Sequence, residues 1–377
     1  MVYGSILSME RPRICLCLTG KTLAEDLEIL ETYRNWIDMV ELRVDYLDRD
    51  ERLHIRKFPQ MAGIPCILTI RRKIDGGLYV EGEASRTMLF ARGLAFAEQD
   101  SRKNFAYVDL EEDFYVPSLQ DAALAFGTRI IRSAHDMNGP IEDIPGRLAK
   151  MRITGFEIPK IACMPKTLAD VTRMFRQAAT LEHGQQILCA MGPLGLPTRV
   201  LADKMNSYLT FVSPSSVEQL KVIGHIDPLT INKTYAFRSI DKNTNVYGII
   251  GYPLEATDSP AIHNAGYRNH GMDAVYIPIR VETVEEALDF ADAVGIKGLS
   301  VTVPHKESIL PHLVEQSPQV KAIGACNTIV RTEAGWSGYN TDAEGIMEGL
   351  KEFLGVKDLS HSRVAIIGAG GAARGVA

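Results

Sequence analysis

The chain has 377 residues, of which 46% are hydrophobic, and a formal net charge of −6. These values are typical of a globular protein with two or more domains, and the acidic balance excludes the basic footprint expected for nucleic acid or an anionic membrane. No apolar run reaches the length of a membrane span, and no signal or transit pattern precedes the first strand. The six cysteines form neither a CxxC pair nor a zinc-site spacing, so we expect reduced packing residues and a cytoplasmic protein.

Short β-prone runs alternate with longer helix-patterned segments between Arg13 and about Thr230. Eight such runs predict an α/β fold of the (β/α)8 barrel type, because doubly wound sheets usually contain fewer strands. The runs are Ile14–Thr19, Met39–Asp45, Cys66–Arg71, Ala106–Glu111, Arg129–Asp136, Phe156–Ala162, Gln186–Gly192 and Leu209–Ser213.

Ionisable residues concentrate near the carboxyl ends of five of these runs. Because residues two apart on a strand share a face, Glu41, Arg43 and Asp45 can all point into the mouth of the barrel. One such strand could belong to a salt-bridged polar layer, but five strands contributing to one end is the arrangement of an active site. The other members are Arg71, Glu111, His135 and Lys160.

Lys160 lies within an apolar run, where an ammonium group needs a carboxylate partner or a chemical use. Desolvation is expected to lower its pKa, and a neutral amine can attack a ketone to form a Schiff base. His135, on the preceding strand, can move the protons that this chemistry requires. Taken alone, Lys160 could instead snorkel from a strand end and His135 could be a structural histidine beside Asp136.

The strand and helix alternation restarts after a short polar segment, residues 241–245, which we interpret as a domain linker. The first strand of this second region is Asn245–Gly251, and the predicted helices are Ser259–Asn269 and Val284–Val294. A third start follows at Arg363, where a strand, a glycine turn and a helix start are predicted. The remaining strands of the second region are Ala274–Ile279, Gly298–Val303 and Thr328–Arg331.

Residues 12–232 resemble the type I 3-dehydroquinate dehydratases, which are (β/α)8 barrels. The resemblance is carried by residues 41–45, 69–71, 107–111, 133–136, 158–162, 191–192, 199 and 215–219. It implies that Lys160 is the Schiff-base lysine and His135 the general acid and base. It further implies a set of substrate-binding residues, namely Glu41, Arg43, Arg71, Arg199, Ser215 and Gln219.

Two positions depart from the pattern of this family. Asp75 stands where the family usually has a glutamate that helps to orient the histidine. The four residues before Gln219, from Ser215 to Glu218, read Ser-Ser-Val-Glu, whereas the family usually has Ser-Ala-Pro-Gly there. The first departure affects the expected support of His135, and the second affects the expected lid contacts.

Residues 245–350 resemble the substrate domain of the shikimate dehydrogenases. The matching segments are residues 248–253, 259–264, 301–306, 323–329 and 338–342. The resemblance implies that Lys306 and Asp342 form a catalytic pair, although such a pair could also be a surface ion pair. Residues 256–258 replace the usual His-Ser-Lys, and Ser300 replaces the usual Asn. The implied substrate-binding residues are Thr257, Ser259, Thr302 and Asn327.

The segment after Arg363 contains the glycine pattern Gly-x-Gly-x-x-Ala, which brings the backbone close to a dinucleotide pyrophosphate at a helix N-terminus. Following a shikimate dehydrogenase substrate domain, it implies the start of a Rossmann domain and NADP as the cofactor. The sequence stops at Ala377, so we expect a fragment of a longer chain whose dehydrogenase half is inactive alone. The expected cofactor-binding residues are Gly368, Ala369, Gly370, Gly371 and Ala372.

Together the two resemblances imply a bifunctional shikimate-pathway enzyme with domains at residues 12–232, 245–350 and 363–377. The first half would dehydrate 3-dehydroquinate through a Lys160 Schiff base without a cofactor, and the second would convert 3-dehydroshikimate to shikimate with NADP. A class I aldolase also uses a barrel lysine but does not explain the arginine set, and a regulatory module would usually have lost the catalytic residues. The expected partners are these small molecules, with no nucleic acid and no membrane, and homo-oligomer formation is left open.

Overall fold

The computed structural model describes residues 11–95, 99–254, 257–360, 362–368 and 370–376. The chain forms two compact units, Met1–Lys242 and Asn243–Ala377. None of the helices within the described ranges combines the length and the apolar character needed to cross a bilayer.

The first unit is an eight-stranded parallel α/β barrel, as the sequence predicts. Strand β8 lies beside β1, and the strands then follow in chain order to β7. The gap between β7 and β8 is bridged by the Gln186–Ser207 pair and by the Tyr208 amide, which donates to the Gln186 carbonyl over 2.6 Å. The strands are β1 Arg13–Leu18, β2 Met39–Arg43, β3 Cys66–Thr69, β4 Tyr107–Glu111, β5 Arg129–Asp136, β6 Ile158–Cys163, β7 Ile187–Ala190 and β8 Leu209–Val212.

Helices follow the strands on the outside of the barrel. The longer ones begin at capping residues: Thr22 accepts from the Glu25 amide before α1, and Thr167 forms a capping box with Asp170 before α6. The helices are α1 Leu23–Tyr33, α2 Phe58–Ala62, α3 Glu83–Leu94, α4 Pro117–Ala125, α5 Ile144–Met151, α6 Leu168–Ala178, α7 Leu196–Val200 and α8 Glu218–Val222.

The interior of the barrel changes from apolar to polar along strands such as β2 and β6. Met39 of β2 and Ile158 of β6 belong to one buried apolar cluster. Two residues further along the same strand faces, the chain places Glu41 and Lys160, both nearly inaccessible to solvent. The apolar layer therefore supports a polar layer at the carboxyl ends, where barrel enzymes carry their active sites.

The second unit is built on a six-stranded mixed sheet with the order β10-β9-β11-β13-β14-β12. Strands β9, β10 and β11 are parallel, and β13 is antiparallel to both β11 and β14. The strands are β9 Asn245–Gly251, β10 Ala274–Arg280, β11 Ile296–Val301, β12 Glu315–Gln316, β13 Thr328–Thr332 and β14 Gly335–Tyr339. The helices are α9 Ser259–Asn269, α10 Val284–Val294, α11 His305–Ser308, α12 Pro318–Ile323, α13 Asp342–Leu354 and α14 Gly371–Val376.

The sequence pattern missed β12 and β14. Strand β12 has only two residues, and β14 contains two glycines, which weaken any strand signal. The β14 conformation comes instead from its hairpin with β13, in which Thr332 pairs with Gly335.

The strand predicted just after Arg363 is wrong for the described residues 362–368, which form no regular element. Val364 is 59% exposed and Ile367 is fully exposed. A strand is stabilised by hydrogen bonds to a neighbouring strand, and these residues pair with none of the strands described. The predicted helix start is present, because α14 begins at Gly371.

Candidate active site

A pocket of about 510 Å³ of atom-free space, including its open mouth, lies at the carboxyl ends of the barrel strands. Lys160, His135, Glu41 and all three predicted arginines reach it, so six of the eight dehydratase positions named from the sequence are brought together. The pocket is lined by Cys17, Glu41, Arg43, Arg71, Asp75, Gly76, His135, Met137, Lys160, Ala162, Cys189, Met191, Arg199, Phe211, Ile223 and His225.

Lys160 is 4% exposed and is surrounded by carboxylates at the base of the pocket. Its Nζ donates to Asp109 Oδ2 over 3.0 Å and lies 3.9 Å from Glu41 Oε1. The same nitrogen is 4.3 Å from the centre of the Phe211 ring, a cation–π distance. The buried ammonium is therefore paired with carboxylates, and this pairing offsets the free-energy cost of burying its charge in an apolar strand.

The expected lowering of the Lys160 pKa is wrong for this structure. Burial does act to lower the pKa, but the nearby carboxylates of Asp109 and Glu41 outweigh it and raise the pKa above its ordinary value. Asp109 is not among the site residues predicted from the sequence. In the free pocket Lys160 is thus an ammonium ion, and any nucleophilic role requires removal of a proton.

Asp109 is the fixed anion of the site and is 1% exposed. Besides Lys160, it binds Arg71 Nη2 over 2.8 Å and accepts from Ser133 Oγ over 2.6 Å. Burial opposes its charge, but Arg71, Lys160 and His135 hold the pKa of the carboxyl well below its usual range. Asp109 therefore stays ionised at any pH at which the protein functions.

His135 follows Ser133 by two residues on β5, and Ser133 pairs in register with Lys160 on β6. Both His135 and Lys160 line the pocket. Burial, followed by the charges of Arg71 and Lys160, lowers the pKa of His135 well below 6.5, and its buried Nδ1 has no hydrogen-bond partner. A neutral imidazole with an unused nitrogen can accept a proton from a neighbouring group.

Asp75, the position that departs from the family pattern, also lines the pocket. Its carboxylate accepts from Arg72 Nε over 2.7 Å, and Arg72 in turn binds Asp113 over 2.8 Å. The loop that carries Asp75 requires a glycine at Gly77, where a Cβ atom would lie 2.2 Å from the Arg71 carbonyl oxygen. Asp75 thus engages Arg72, and the buried His135 Nδ1 remains without a partner.

The three arginines differ in their partners. Arg43 binds Asp45 through two bonds of 2.9 and 2.8 Å, and Arg71 binds both Asp109 and Glu111. Arg199 donates only to carbonyl oxygens, those of Phe211 at 3.4 Å and Ile223 at 3.0 Å, and its buried Nε has no partner. Burial lowers the pKa of Arg199, with no carboxylate among the groups that oppose this effect. Among the predicted arginines, Arg199 is thus the one available for an incoming anion.

Ser215 and Gln219 are the two predicted dehydratase residues that the structure leaves outside the pocket. Both are exposed, Ser215 just after β8 and Gln219 on α8. Ile223 and His225, from the segment after α8, line the pocket instead. His225 is not among the residues predicted from the sequence, although it is a polar residue between the apolar Val222–Ile223 and Ile226.

In the second unit the predicted pair Lys306 and Asp342 is in contact. Lys306 Nζ lies 2.5 Å from Asp342 Oδ2, and Asn327 Nδ2 donates to Asp342 Oδ1 over 2.8 Å. The backbone also joins these elements, because the Cys326 amide donates to the Lys306 carbonyl over 2.8 Å. His305, buried beside Lys306, bonds the Val281 carbonyl through Nε2 over 2.9 Å and fixes the start of α11.

The other predicted residues of this unit form short local contacts. Thr257 Oγ1 lies 3.1 Å from Ser259 Oγ, and the Thr302 amide donates to the Ile250 carbonyl over 3.0 Å. Ser300, where the family usually has asparagine, accepts from the Tyr276 hydroxyl over 2.7 Å.

The predicted cofactor segment is described only in part, because Ala369 and the side chain of Ala372 lie outside the described residues. Gly368 has φ of +120°, and a Cβ atom at Gly368 or Gly370 would meet nothing within 4 Å. Gly371, the first residue of α14, lies beside Lys306: a Cβ atom there would be 3.4 Å from the Lys306 Cβ. Gly368 and Gly370 thus leave room for a group that approaches the backbone, as a dinucleotide pyrophosphate would.

The sequence matches the Type I 3-dehydroquinase family over residues 14–242 and the shikimate dehydrogenase substrate binding domain over residues 249–329. A bifunctional 3-dehydroquinate dehydratase/shikimate dehydrogenase of Arabidopsis thaliana, described as chloroplastic, is 30% identical and aligns with 100% of this chain and 64% of its own length. The shikimate biosynthesis protein AroDE of Chlamydia pneumoniae is 27% identical over 97% of this chain and 73% of its own.

A shikimate dehydrogenase (NADP(+)) of Trichormus variabilis is 42% identical over 36% of this chain and 48% of its own length. The crystal structure of a type I 3-dehydroquinate dehydratase from Clostridium difficile shares the barrel fold, with a TM-score of 0.50 and 23% identity over 59% of this chain and 90% of the other. This chain thus spans between about half and three quarters of these curated relatives. It belongs to the type I 3-dehydroquinase family, and a shikimate dehydrogenase substrate binding domain follows its barrel.

Proposed function

We propose that the first unit dehydrates 3-dehydroquinate to 3-dehydroshikimate through a Schiff base on Lys160. The observation that carries the proposal is the placement of a buried lysine and a neutral histidine on adjacent strands that line the same pocket, with Nδ1 of the histidine lacking a hydrogen-bond partner. The relative from Arabidopsis thaliana is a 3-dehydroquinate dehydratase in its own right, which supports the same reaction.

The first step is loss of a proton from the Lys160 ammonium, which His135 is placed to accept. The neutral amine then adds to the ketone carbon, and loss of water gives a protonated imine. The imine withdraws electrons from the neighbouring carbon, whose proton passes to a base in the pocket. The electron pair forms the ring double bond as hydroxide leaves from the β-carbon and is protonated to water. Hydrolysis of the imine returns Lys160 and releases the product.

The substrate carboxylate belongs beside Arg199 in this proposal. Arg43 and Arg71 already bind carboxylates of the protein, whereas Arg199 binds carbonyl oxygens alone. A carboxylate at Arg199 would complete a charge-assisted bond in a site from which water is largely excluded. Arg71 then acts mainly by holding Asp109, which binds Lys160, and Arg43 acts mainly by holding Asp45.

For the second unit we propose NADP-dependent interconversion of 3-dehydroshikimate and shikimate. NADP, when bound, would supply or accept the hydride, with its pyrophosphate against the glycines from Gly368 to Gly371. Lys306 and Asp342 would hold the proton that moves to or from the ring hydroxyl. Asn327 keeps the Asp342 carboxylate oriented, and Thr302 and Ser259 offer hydroxyl groups to the substrate.

The proposed location is the cytoplasm. All six cysteines are unpaired and buried, which is typical of a reducing compartment. The chloroplastic relative indicates that related chains also operate in an organelle.

Borohydride trapping tests the dehydratase mechanism. The protein is incubated with 3-dehydroquinate and sodium borohydride, and its peptides are mapped by mass spectrometry. We expect a reduced adduct on the peptide with Lys160 and none in Lys160→Met, while the exposed control Lys150→Met retains both the adduct and formation of the conjugated product. Folded protein that forms product without an adduct on Lys160 would refute the mechanism. An adduct without product would instead favour an aldolase-like activity.

A further inference from the structure

A second imidazole lines the barrel pocket. His225 reaches the same cavity as His135 and Lys160, and its buried Nδ1 also has no hydrogen-bond partner. Its ring lies nearly parallel to that of Phe211, with 6.4 Å between centres and an angle of 23°. The mechanism above does not use this histidine, and an unsatisfied buried nitrogen that faces a substrate pocket requires a role.

The backbone around His225 holds it firmly in place. Gly224 has φ of +84°, and a Cβ atom at this position would lie 2.6 Å from the Gly192 carbonyl oxygen. On the other side, Ile226 bridges to Val212 at the end of β8. The backbone is thus fixed on both sides of His225, and it holds the imidazole in the wall of the pocket.

Positive charges surround this end of the pocket. Burial, followed by the charges of Arg199, Arg43 and Lys160, lowers the pKa of His225 well below 6.5, so the empty pocket holds a neutral ring. Arg199 is also tied to the same segment by its bond to the Ile223 carbonyl. The other titratable or charged groups that line the cavity are Cys17, Glu41, Arg71, Asp75, His135 and Cys189.

We propose that His225 binds the carboxylate end of the substrate together with Arg199, and that this contact couples substrate binding to uptake of a proton. The inference rests on the proposed dehydratase function. The Val212 carbonyl accepts a bond from the ring, so it is the doubly protonated imidazolium that has an N–H left for a carboxylate. Because the bound anion also favours the imidazolium form, binding shifts His225 toward protonation, and substrate affinity rises as the pH falls. An amide side chain in the same place would bind without this coupling.

The test compares His225→Gln, His225→Ala and the wild type in steady-state kinetics with 3-dehydroquinate from pH 6 to 8. We expect KM to rise about 10-fold or more in His225→Ala, the size of a lost bond to a charged group, with a smaller change in kcat. His225→Gln should recover part of the affinity while flattening the fall of KM toward low pH. Lys150→Gln, an exposed change on helix α5, is the control and should leave both KM and kcat unchanged.

Two results would overturn the inference: a KM in His225→Ala within 2-fold of the wild type, or the same pH dependence of KM in His225→Gln and the wild type. A rise of KM in Gln219→Ala that His225→Ala does not produce would also overturn it, because the exposed helix would then supply the contact. Trapping of each variant with borohydride separates the two proposals. An adduct on Lys160 with unchanged KM sinks the role of His225 alone, whereas a wild type without any adduct sinks the dehydratase mechanism.

Discussion

Replacing Asp109 by asparagine tests whether this carboxylate holds the barrel site together. The change keeps the shape of the side chain and removes its charge. It weakens three contacts at once, with Lys160 at 3.0 Å, Arg71 at 2.8 Å and Ser133 at 2.6 Å. All four side chains are nearly inaccessible to solvent, so water cannot replace the lost charge.

The expected cost follows from this burial. Removing one partner of a buried ion pair typically destabilises a protein by about 3–5 kcal/mol, because the remaining charge is left without compensation. Glu41 and Glu111 still offset part of the charge of Lys160 and Arg71, which places Asp109→Asn at the lower end of that range. For a unit of this size, about 3 kcal/mol corresponds to a fall in Tm of roughly 6–12 °C.

Calorimetric unfolding at pH 7 measures the effect, with Asp113→Asn as the matched control. Asp113 also pairs with an arginine, but its side chain is 62% exposed, so its loss should cost less than about 1 kcal/mol. Asp109→Asn should also lower the pKa of Lys160, because it removes the charge that stabilises the ammonium form. The acidic limb of the pH profile of borohydride trapping should therefore move to lower pH. Equal Tm changes in the two variants, or a trapping profile displaced to higher pH, would refute this account of Asp109.

Three further predictions concern other parts of the barrel. Asp26 is buried with its pKa raised from 3.8 to about 7, chiefly by burial, so its penalty to folding grows as the pH rises from about 4 to 7. Asp26→Asn should therefore gain roughly 2 kcal/mol relative to the wild type between pH 5 and pH 8, measured by urea unfolding. Gly224→Ala should cost roughly 2–4 kcal/mol through its positive φ and its clash with Gly192, whereas Gly155→Ala, with φ of +82° and open space, should cost about 1 kcal/mol. Arg199→Lys should raise the KM for 3-dehydroquinate about 10-fold to 100-fold through loss of the forked contact, with a smaller effect on kcat.

Each of these three predictions has an outcome that would contradict it. A stability difference between Asp26→Asn and the wild type that does not change with pH would show that this carboxyl does not titrate on unfolding as described. Equal losses in the two glycine variants would remove the argument for close backbone packing at Gly224. A KM unchanged in Arg199→Lys would place the substrate carboxylate elsewhere.

The barrel was predictable because its signal is repeated. Each strand alternates between faces, and on several strands a face that begins with an apolar residue, such as Met39 or Ile158, continues with an ionisable one. The number of strands and the location of the site therefore follow from the same pattern. The partner of Lys160 was not predictable in this way. Asp109 lies on β4, two strands away from β6, and only the closed curvature of the barrel brings the two side chains together.

The pocket residue in the segment after β8 was predicted wrongly for a different reason. Residues 213–226 have no strong periodicity, so placing the pocket residue depended on the spacing of a motif that this chain does not preserve. The backbone settles the position instead, because Gly224 can approach Gly192 closely and thereby directs His225 inward. The exposed Val364 and Ile367 illustrate the converse, since an apolar run becomes a strand only when another strand is available to pair with it.

The charge state of the free pocket has a consequence for the order of events in catalysis. Lys160 is held as an ammonium by Asp109 and Glu41, while His135 is kept neutral by burial and by Arg71 and Lys160. Imine formation needs a neutral Lys160 amine, with the proton held by another group such as His135. In the free pocket the proton is on Lys160 instead. An anionic substrate raises the proton affinity of both groups, so it favours transfer of the proton from Lys160 to His135 where its charge lies closer to His135. Substrate binding would then create the nucleophile, and a lysine that stays protonated until that moment is protected from reacting with other carbonyl compounds.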